Sequence, residues 1–524
     1  MPHANHYDLI IIGTGAGGGT LARRLAPTGK RILVLERGGY IPRERENWDT
    51  REVFERKRYL AQETFYDKHD QPFEPYTHYC VGGNTKVYGA ALLRLRETDF
   101  REVHHFGGVS PAWPITYDEL EPYYTLAERM YHVHGDRGSD PTEPRSSAPF
   151  LHAPVPAEPR ISELFDDLAS IGCRPFPIPL GVRLDERARG SAPYRLSHFD
   201  GYPDLTEVKA DSHVCGVRPA LAHDNVTLLT GAYVERLVTD SSGRDVRQVI
   251  ARHDGLELRV SADIVVLACG AINTAALLLR SACDTHPRGL GNSSDQVGRN
   301  YMTHQNGCFI MVSQEPNPSQ FQKHFGIADF YRASPASSRP LGIIQLMGKP
   351  DMGTLSWLRA DAMPGVALED IAQRTIDFFL TAEDLPDQNN RITLRADGSI
   401  RVSYTLNNAE AYEGLRTQLA GLLTAVERRR GRTDPVFLSS RLGVSGVSHQ
   451  NGTCRFGTDP ATSVLDTDCK AHDLGNLYVV DASFFPSSAA VNPSLTIIAN
   501  ALRVGDHLAR QLSASANVPA GAQA

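Results

Sequence analysis

Among 524 residues there are eight cysteines, and none forms a Cys-x-x-Cys pair. Cys80, Cys173, Cys215, Cys269, Cys283, Cys308, Cys454 and Cys469 are scattered, which speaks against a zinc site or a disulfide framework and for small buried apolar side chains. No metal ligand set is expected. No uninterrupted apolar run reaches the roughly 18 residues a membrane helix requires, so no membrane segment is expected either. Basic residues are in deficit: 54 Lys and Arg stand against 61 Asp and Glu, and a net charge of -7 provides no footprint for nucleic acid. Internal repeats and heptads are absent, which removes solenoids and coiled coils. The first apolar strand begins at Tyr7 and leaves no room for a charged, then apolar, then cleavable leader, so the expected location is cytoplasmic.

What is present is an ordinary globular composition, 41% hydrophobic and 22% charged, in a chain too long for one core to organise comfortably. Two domains, or one large domain with insertions, are expected. Tyr7 to Ile12 (YDLIII) is a short Ile-rich run that reads as a buried strand, and it leads directly into Gly13, Thr14, Gly15, Ala16, Gly17 and Gly18. In this order Gly13 permits a tight turn, Gly15 lets the backbone approach a pyrophosphate, and Gly18 lets the following helix, Gly19 to Leu25, pack on the strand. A second strand, Arg31 to Leu35, ends at Glu36, placed to bind a ribose diol and to disfavour a 2′-phosphate. Strand, glycines, helix, strand and acid together predict a dinucleotide site.

Further along, residues 41–75 are rich in Arg, Glu and Asp and read as an exposed helix or lid. The stretch His78 to Ala90 carries Gly82, Gly83, Asn84, Tyr88 and Gly89, glycines and small polar residues suited to backbone passing close to a flat ligand. Thr116 and Glu119 form a capping box that opens a helix, and Ser139 to Pro159 is a Pro- and Ser-rich loop. After a helix near 198–221, the segments 225–230, 233–238, 246–253 and 256–260 predict an antiparallel meander. The chain then returns to a parallel-type strand, Asp263 to Ala268, followed by a helix from Asn273 to Arg280. Strands at 309–313, 342–347, 378–381, 391–394 and 400–404, with a helix from Ala409 to Arg428, are expected to build a separate substrate-side sheet.

The chemistry gathers near the C-terminus. Leu477 to Val480 reads as a strand ending at Asp481 and Ala482, and Asn492 with Pro493 reads as the cap and first residue of a helix through Arg503. Such a helix N-terminus would stabilise negative charge developing on a flavin. His449, in the glycine-flanked loop SHQNGTCRFG, is a candidate base, since imidazole is the side chain best tuned to take an alcohol proton near neutral pH. Trp113, His304 and Tyr404 are candidates for lining a substrate pocket, though such residues are more often ordinary core or loop.

Taken together, GTGAGG with Glu36, GGNTKVYG, ACGAINTAALLLRS, SHQNGTCRFG, NLYVVDASFFP and VNPSLT resemble the glucose-methanol-choline oxidoreductases, FAD enzymes that oxidise alcohols. Within that family the chain is most similar to the bacterial sugar-acting branch, with gluconate-dehydrogenase-type subunits, pyranose oxidases and glycoside 3-oxidases. The resemblance implies an α/β fold: a Rossmann-like FAD-binding domain from 1–110, 205–308 and 441–512, a sheet-plus-helices substrate domain from 111–204 and 309–440, and a flexible tail from 513 to 524. It implies that His449 is the base and Asn492 its partner, and that the ADP moiety lies on Gly13, Thr14, Gly15, Ala16, Gly18 and Glu36. It further places the backbone of Val234 at the adenine, Gly82, Gly83, Asn84, Tyr88 and Gly89 along the flavin, and Asp481 and Ala482 by the pyrophosphate and ribityl chain, with Pro493 at the flavin-facing helix start. Relatives with covalent FAD have a histidine where Val87 stands here, so FAD is expected to be non-covalent. Tyr88 replaces a common Asn, and Ala271 and Ala282 replace a Pro and a Gly of the family's mid-chain signature. The expected partners are a small alcohol, by this resemblance a carbohydrate, and oxygen or another electron acceptor.

Overall fold

The computed structural model describes residues 5–184, 198–335, 337–349, 355 and 367–515. At its centre five strands run parallel in the spatial order Val226–Leu229, Ile32–Leu35, His6–Ile12, Leu256–Leu267, Leu477–Val479. Leu9, Ile10, Ile11, Val265, Val266, Leu267 and Val479 have no exposure, as in a parallel sheet buried on both faces. Counted along the chain the order is third, second, first, fourth, fifth, the doubly wound arrangement whose strand order reverses between His6–Ile12 and Leu256–Leu267. The helices Ala16–Leu25, Tyr117–Met130 and Ser494–Ser515 pack together on this layer.

A second sheet of six strands is antiparallel, in the order Val436–Leu442, Gln305–Val312, Thr375–Ala382, Ile343–Leu346, Phe325–Ile327, Pro175–Pro177. The helices Pro159–Ser170 and Ala409–Arg429 lie on it, and Ile161, Leu164, Leu415 and Leu419 pack with Phe309 and Phe378 into a separate core. Among the described residues no helix is long and apolar enough to cross a membrane.

Several local expectations change in the fold. Val226–Leu229 leaves the antiparallel meander and pairs parallel with Ile32–Leu35 as the edge strand of this layer, with only Val226 buried. The last meander strand and the following parallel strand are one strand, Leu256–Leu267, whose first half pairs backwards with Val246–His253 and whose second half pairs with His6–Ile12. Arg391–Leu394 and Ile400–Ser403 do not join the six-stranded sheet; they pair with Phe65–Asp67 and Pro72–Phe73. Residues 41–75 therefore contain two short strands besides the one-turn segments Arg45–Trp48 and Arg51–Glu55.

Tyr117–Met130, with Thr116 and Glu119 making the expected capping box, was expected in the substrate half. It belongs instead to the core under the parallel sheet: Tyr124 Oη lies 2.8 Å from Thr496 Oγ1, and Tyr131 Oη lies 2.7 Å from Thr20 Oγ1. The last helix runs to Ser515, twelve residues past the expected Arg503, and takes in the first three residues of the expected tail; the tail from 516 onward and the approach to the 198–221 segment lie outside the described residues. Within that segment the turns His213–Val217 and Arg218–Ala220 are helical.

Candidate active site

A cavity of about 390 Å³ opens where the strand order reverses, and its wall runs from the glycine turn to the six-stranded sheet. Gly13 has φ of +103°, and a Cβ there would stand 2.3 Å from the Ala268 carbonyl oxygen, so only glycine makes this turn. A Cβ on Gly18 would stand 2.0 Å from the Gly13 carbonyl oxygen, and one on Gly17 2.1 Å from that of Val480; these two let the helix sit against the turn and the C-terminal strand. Gly15 differs. A Cβ there meets no atom within 4 Å, and Gly15 lines the cavity, so a side chain would take up space that the turn keeps open. The helix beginning at Ala16 has no side-chain cap, which leaves its first-turn N–H groups free for an anion. An open cradle under an uncapped helix start fits a pyrophosphate.

Glu36 is buried, and its carboxylate accepts from Thr14 N at 3.0 Å, Thr14 Oγ1 at 2.5 Å and Gly38 N at 2.9 Å. Burial pushes its pKa above the usual carboxylate range, with the three hydrogen bonds pulling the other way. Thr14 Oγ1 also accepts from Gly82 N at 3.0 Å, which ties the second glycine stretch to the first. Gly83, Asn84, Tyr88 and Gly89 line the cavity along with Thr14, Ala16, Glu36, Val234, Asp481, Ala482 and Pro493, whereas Gly18 and Gly82 stand behind the wall. Asn84 Oδ1 accepts from His78 N at 2.8 Å, and Tyr88 Oη donates to the Ala210 carbonyl at 2.6 Å. Asp481 accepts from Gly270 N at 3.0 Å and Thr274 Oγ1 at 2.5 Å on one oxygen, and from Ser483 N at 2.9 Å on the other. Its carboxylate thus ties the start of the helix Ala271–Arg280 to its own turn at Ala482–Phe484.

His449 and Asn492 line the same cavity at the six-stranded sheet. His449 Nδ1 is 2.9 Å from His304 Nδ1, and Asn492 Nδ2 is 3.5 Å from His449 Nε2. Burial holds His449 well below the usual imidazole pKa, and the nearby His304 and Lys323 add to that. The side chain is therefore neutral near pH 7 and able to accept a proton. Asn492 does not cap the helix as expected: the helix starts at Ser494, and the Pro493 carbonyl takes the bond from Ile497 N at 3.1 Å. The Asn492 side chain instead accepts from Gln345 Nε2 at 2.8 Å. Also in the wall, Lys323 Nζ donates to Asp200 Oδ1 at 2.7 Å, a pair with the lysine buried and the aspartate half-buried in which each charge answers the other.

Other residues of this site carried no signal in the reading of single motifs. Ser212 Oγ donates to the carbonyls of Thr14 and Gly15 at 2.9 and 2.8 Å and so backs the glycine turn. Arg37 lies over the Tyr79 and Tyr233 rings at 3.9 and 4.4 Å, in the wall next to Glu36. His304 was read as core, and it is buried, yet it touches the candidate base. One signal was available: the tripeptide His-Gln-Asn occurs twice, at 304–306 and 449–451.

A Gly-rich turn under an uncapped helix, at the switch point of a doubly wound sheet, defines a dinucleotide-binding enzyme with a second, sheet-based wall. Residues 77–306 and 386–501 match the two family profiles described as GMC oxidoreductase. The chain is 32% identical to the 6‴-hydroxyparomomycin C oxidase of Streptomyces lividus, over 97% of this chain and 92% of that protein. It is 28% identical to the fructose dehydrogenase large subunit of Gluconobacter japonicus, over 96% and 98%. Its fold is similar to that of pyridoxine 4-oxidase from Mesorbium loti, with a TM-score of 0.68 at 19% identity, over 95% of this chain and 98% of that one. The chain belongs to the GMC oxidoreductase family and is an FAD-dependent alcohol oxidoreductase.

Proposed function

We propose that this enzyme oxidises a secondary hydroxyl of a sugar or glycoside to the ketone, with His449 as base, Asn492 as its partner and FAD held without a covalent bond. The observation that carries the reading is the pair itself: His449 Nε2 and Asn492 Nδ2, 3.5 Å apart, face a cavity that the Gly15 cradle shares. A hydroxyl placed between them loses its proton to the neutral Nε2 while Asn492 Nδ2–H donates to the oxygen and holds it in line. Both side chains are half-buried at the cavity wall, where a bound substrate would displace the water that competes for them. FAD supplies the hydride acceptor for the carbinol hydrogen. Gly13, Thr14, Gly15, Ala16, Gly18 and Glu36, with Val234, would hold its ADP part. Gly82, Gly83, Asn84, Tyr88 and Gly89, with Asp481, Ala482, Asn492 and Pro493, would hold the rest. The parallel and antiparallel sheets support a division into FAD-binding segments 1–110, 205–308 and 441–512 and substrate-side segments 111–204 and 309–440, apart from the elements corrected above.

A carbohydrate substrate is supported by the names of two relatives, a hydroxyparomomycin oxidase and a fructose dehydrogenase. The polar Asp200, Lys323 and Asn306 in the wall suit a molecule rich in hydroxyls. The second of those names also favours a second reading, in which electrons pass to a partner protein or quinone rather than to oxygen. An anaerobic absorbance titration with monosaccharides, glycosides, aldonates and simple alcohols, followed by air, tests both. Bleaching by a sugar with rapid recovery in air establishes an oxidase, bleaching without recovery the dehydrogenase, and no bleaching by any carbohydrate overturns the substrate class. Product analysis then separates a ketone from an aldehyde.

A further inference from the structure

The antiparallel pair Met302–Thr303 and Gln450–Asn451 has the register Met302 opposite Asn451 and Thr303 opposite Gln450. Continued by one residue, the same register sets His304 opposite His449, and the two rings meet edge to face with 5.0 Å between centroids. Two backbone segments 145 positions apart thus deliver two imidazoles nitrogen to nitrogen, at 2.9 Å. One of these nitrogens must carry the hydrogen and the other must lack it.

The far side of His304 decides which. His304 Nε2 is 3.1 Å from the Ser488 carbonyl oxygen, which can only accept, so Nε2 bears a hydrogen. The ring is 2% exposed, and burial lowers its pKa, so it stays neutral and its Nδ1 is a bare lone pair. His449 Nδ1 must then be the donor. A neutral His449 with its hydrogen on Nδ1 has an unprotonated Nε2, and that is the atom facing Asn492 Nδ2 and the cavity.

The surroundings agree. Gln345 holds Asn492 by its oxygen, which leaves the Asn492 amide N–H₂ directed at the His449 Nε2 lone pair. Asn306 Oδ1 is buried without a partner while its Nδ2 lies 3.3 Å from His449 Nδ1; turning the amide end for end supplies that oxygen with the same N–H. The Ser488 carbonyl is itself held from both sides. Ser488 Oγ donates to the Asp384 carbonyl at 2.8 Å, and the next N–H, Ala489, donates to buried Glu383 at 3.0 Å. Glu383 in turn is 3.0 Å from His105 and accepts from Ser110 Oγ at 2.5 Å.

We propose that His304 is a positioning residue that selects the tautomer of His449, fixing the hydrogen on Nδ1 and so presenting Nε2 as the proton acceptor. This rests on the assignment of His449 as base. In the step it supports, the substrate O–H bond breaks and an Nε2–H bond forms; the Nδ1 hydrogen stays where it is, shared more strongly with His304 as His449 becomes an imidazolium. No proton leaves the pair.

The test compares His304→Leu, which removes the acceptor, with His304→Asn, whose side-chain oxygen can still receive the His449 Nδ1 hydrogen, and His449→Ala, all as FAD-loaded protein. Stopped-flow flavin reduction by a substrate found in the titration is expected to slow about 10- to 100-fold in His304→Leu across the whole pH range, with the Asn variant recovering most of the loss. FAD content and near-ultraviolet dichroism report whether each variant is folded. Independently of turnover, a long-range ¹H–¹⁵N spectrum of histidine-labelled wild type, assigned through the variants, should show His449 protonated at Nδ1 and bare at Nε2. A proton on Nε2 there, or a folded His304→Leu that reduces at the wild-type rate, overturns the proposal. If His449→Ala itself reduces normally, the assignment of the base fails instead, and the two failures are told apart.

Discussion

Gln345 Nε2 donates to Asn492 Oδ1 at 2.8 Å, and this bond turns the Asn492 amide so that its nitrogen faces His449. Gln345 sits in the strand Ile343–Leu346, is 1% exposed, and stands as the one polar side chain among three apolar neighbours there. Its replacement by Leu leaves Asn492 Oδ1 buried without a partner, which favours rotation of the amide. Gln345→Leu is therefore expected to slow flavin reduction on the order of 10- to 100-fold, as small misplacements of an orienting group do. FAD content should be unchanged. Single-turnover reduction of the purified variant checks this, and an unaltered rate would mean that Asn492 needs no such hold.

Replacing His449 by Ala removes the proposed base. The expected cost in flavin reduction is about 100- to 10,000-fold, with the yellow cofactor retained.

The pH dependence follows from the direction of the His449 shift. The proposed base would work in its neutral form, and burial places its pKa well below the ordinary imidazole value. Protonation, and with it loss of rate, then begins only as pH falls beneath that lowered value. The reduction rate should be flat from about pH 6.5 to 8 and decline only in more acidic buffer. A rate that climbs steeply between pH 6.5 and 8 would contradict a His449 that is neutral across this range.

Two neighbouring glycines separate binding from folding. Gly15→Val directs its side chain into open cavity, so the variant should fold and purify colourless. Gly17→Val drives a Cβ to 2.1 Å from the Val480 carbonyl oxygen and must displace a buried strand, so it should lose soluble expression or melt far below wild type. Circular dichroism with flavin absorbance distinguishes them; a yellow Gly15→Val would remove the pyrophosphate assignment.

Val87 is 3% exposed and lines the cavity in the glycine-rich stretch, and an isopropyl group cannot form a bond to flavin. Acid precipitation of the enzyme should leave a white pellet and release all flavin to the supernatant. Flavin retained in a washed pellet would show an attachment elsewhere.

Much of the nucleotide half was legible because its determinants are local. Gly13, Gly15 and Gly18 answer to a turn, an open cradle and a helix contact within six residues, and the apolar run before them has nowhere to go but a buried strand. Glu36 was readable by its distance from that turn. Its tie to Thr14 and Gly38 was not, since nothing in the pattern says which donors a buried carboxylate will meet.

Strand partners were less accessible. Val226–Leu229 and the flanking meander strands have similar apolar content, and periodicity reports burial without naming a neighbour, so the parallel pairing with Ile32–Leu35 emerged only in the folded sheet. The same holds for Arg391–Leu394 and Ile400–Ser403, whose partner Phe65–Asp67 lies more than 300 positions earlier.

By itself, then, the sequence determined a glycine turn, an acid at the end of the second strand, His449 in its loop and Asn492 ahead of a helix, each through constraints acting over a few residues. The tertiary structure alone decided what these side chains face. A two-residue ladder brings His304 against His449, a strand of the other sheet brings Gln345 against Asn492, and a carbonyl at Ser488 orders the chain of imidazoles. Hydrogen-bond direction is a property of atoms brought within about 3 Å, and chain segments far apart in sequence acquire it only once the two sheets close around one cavity.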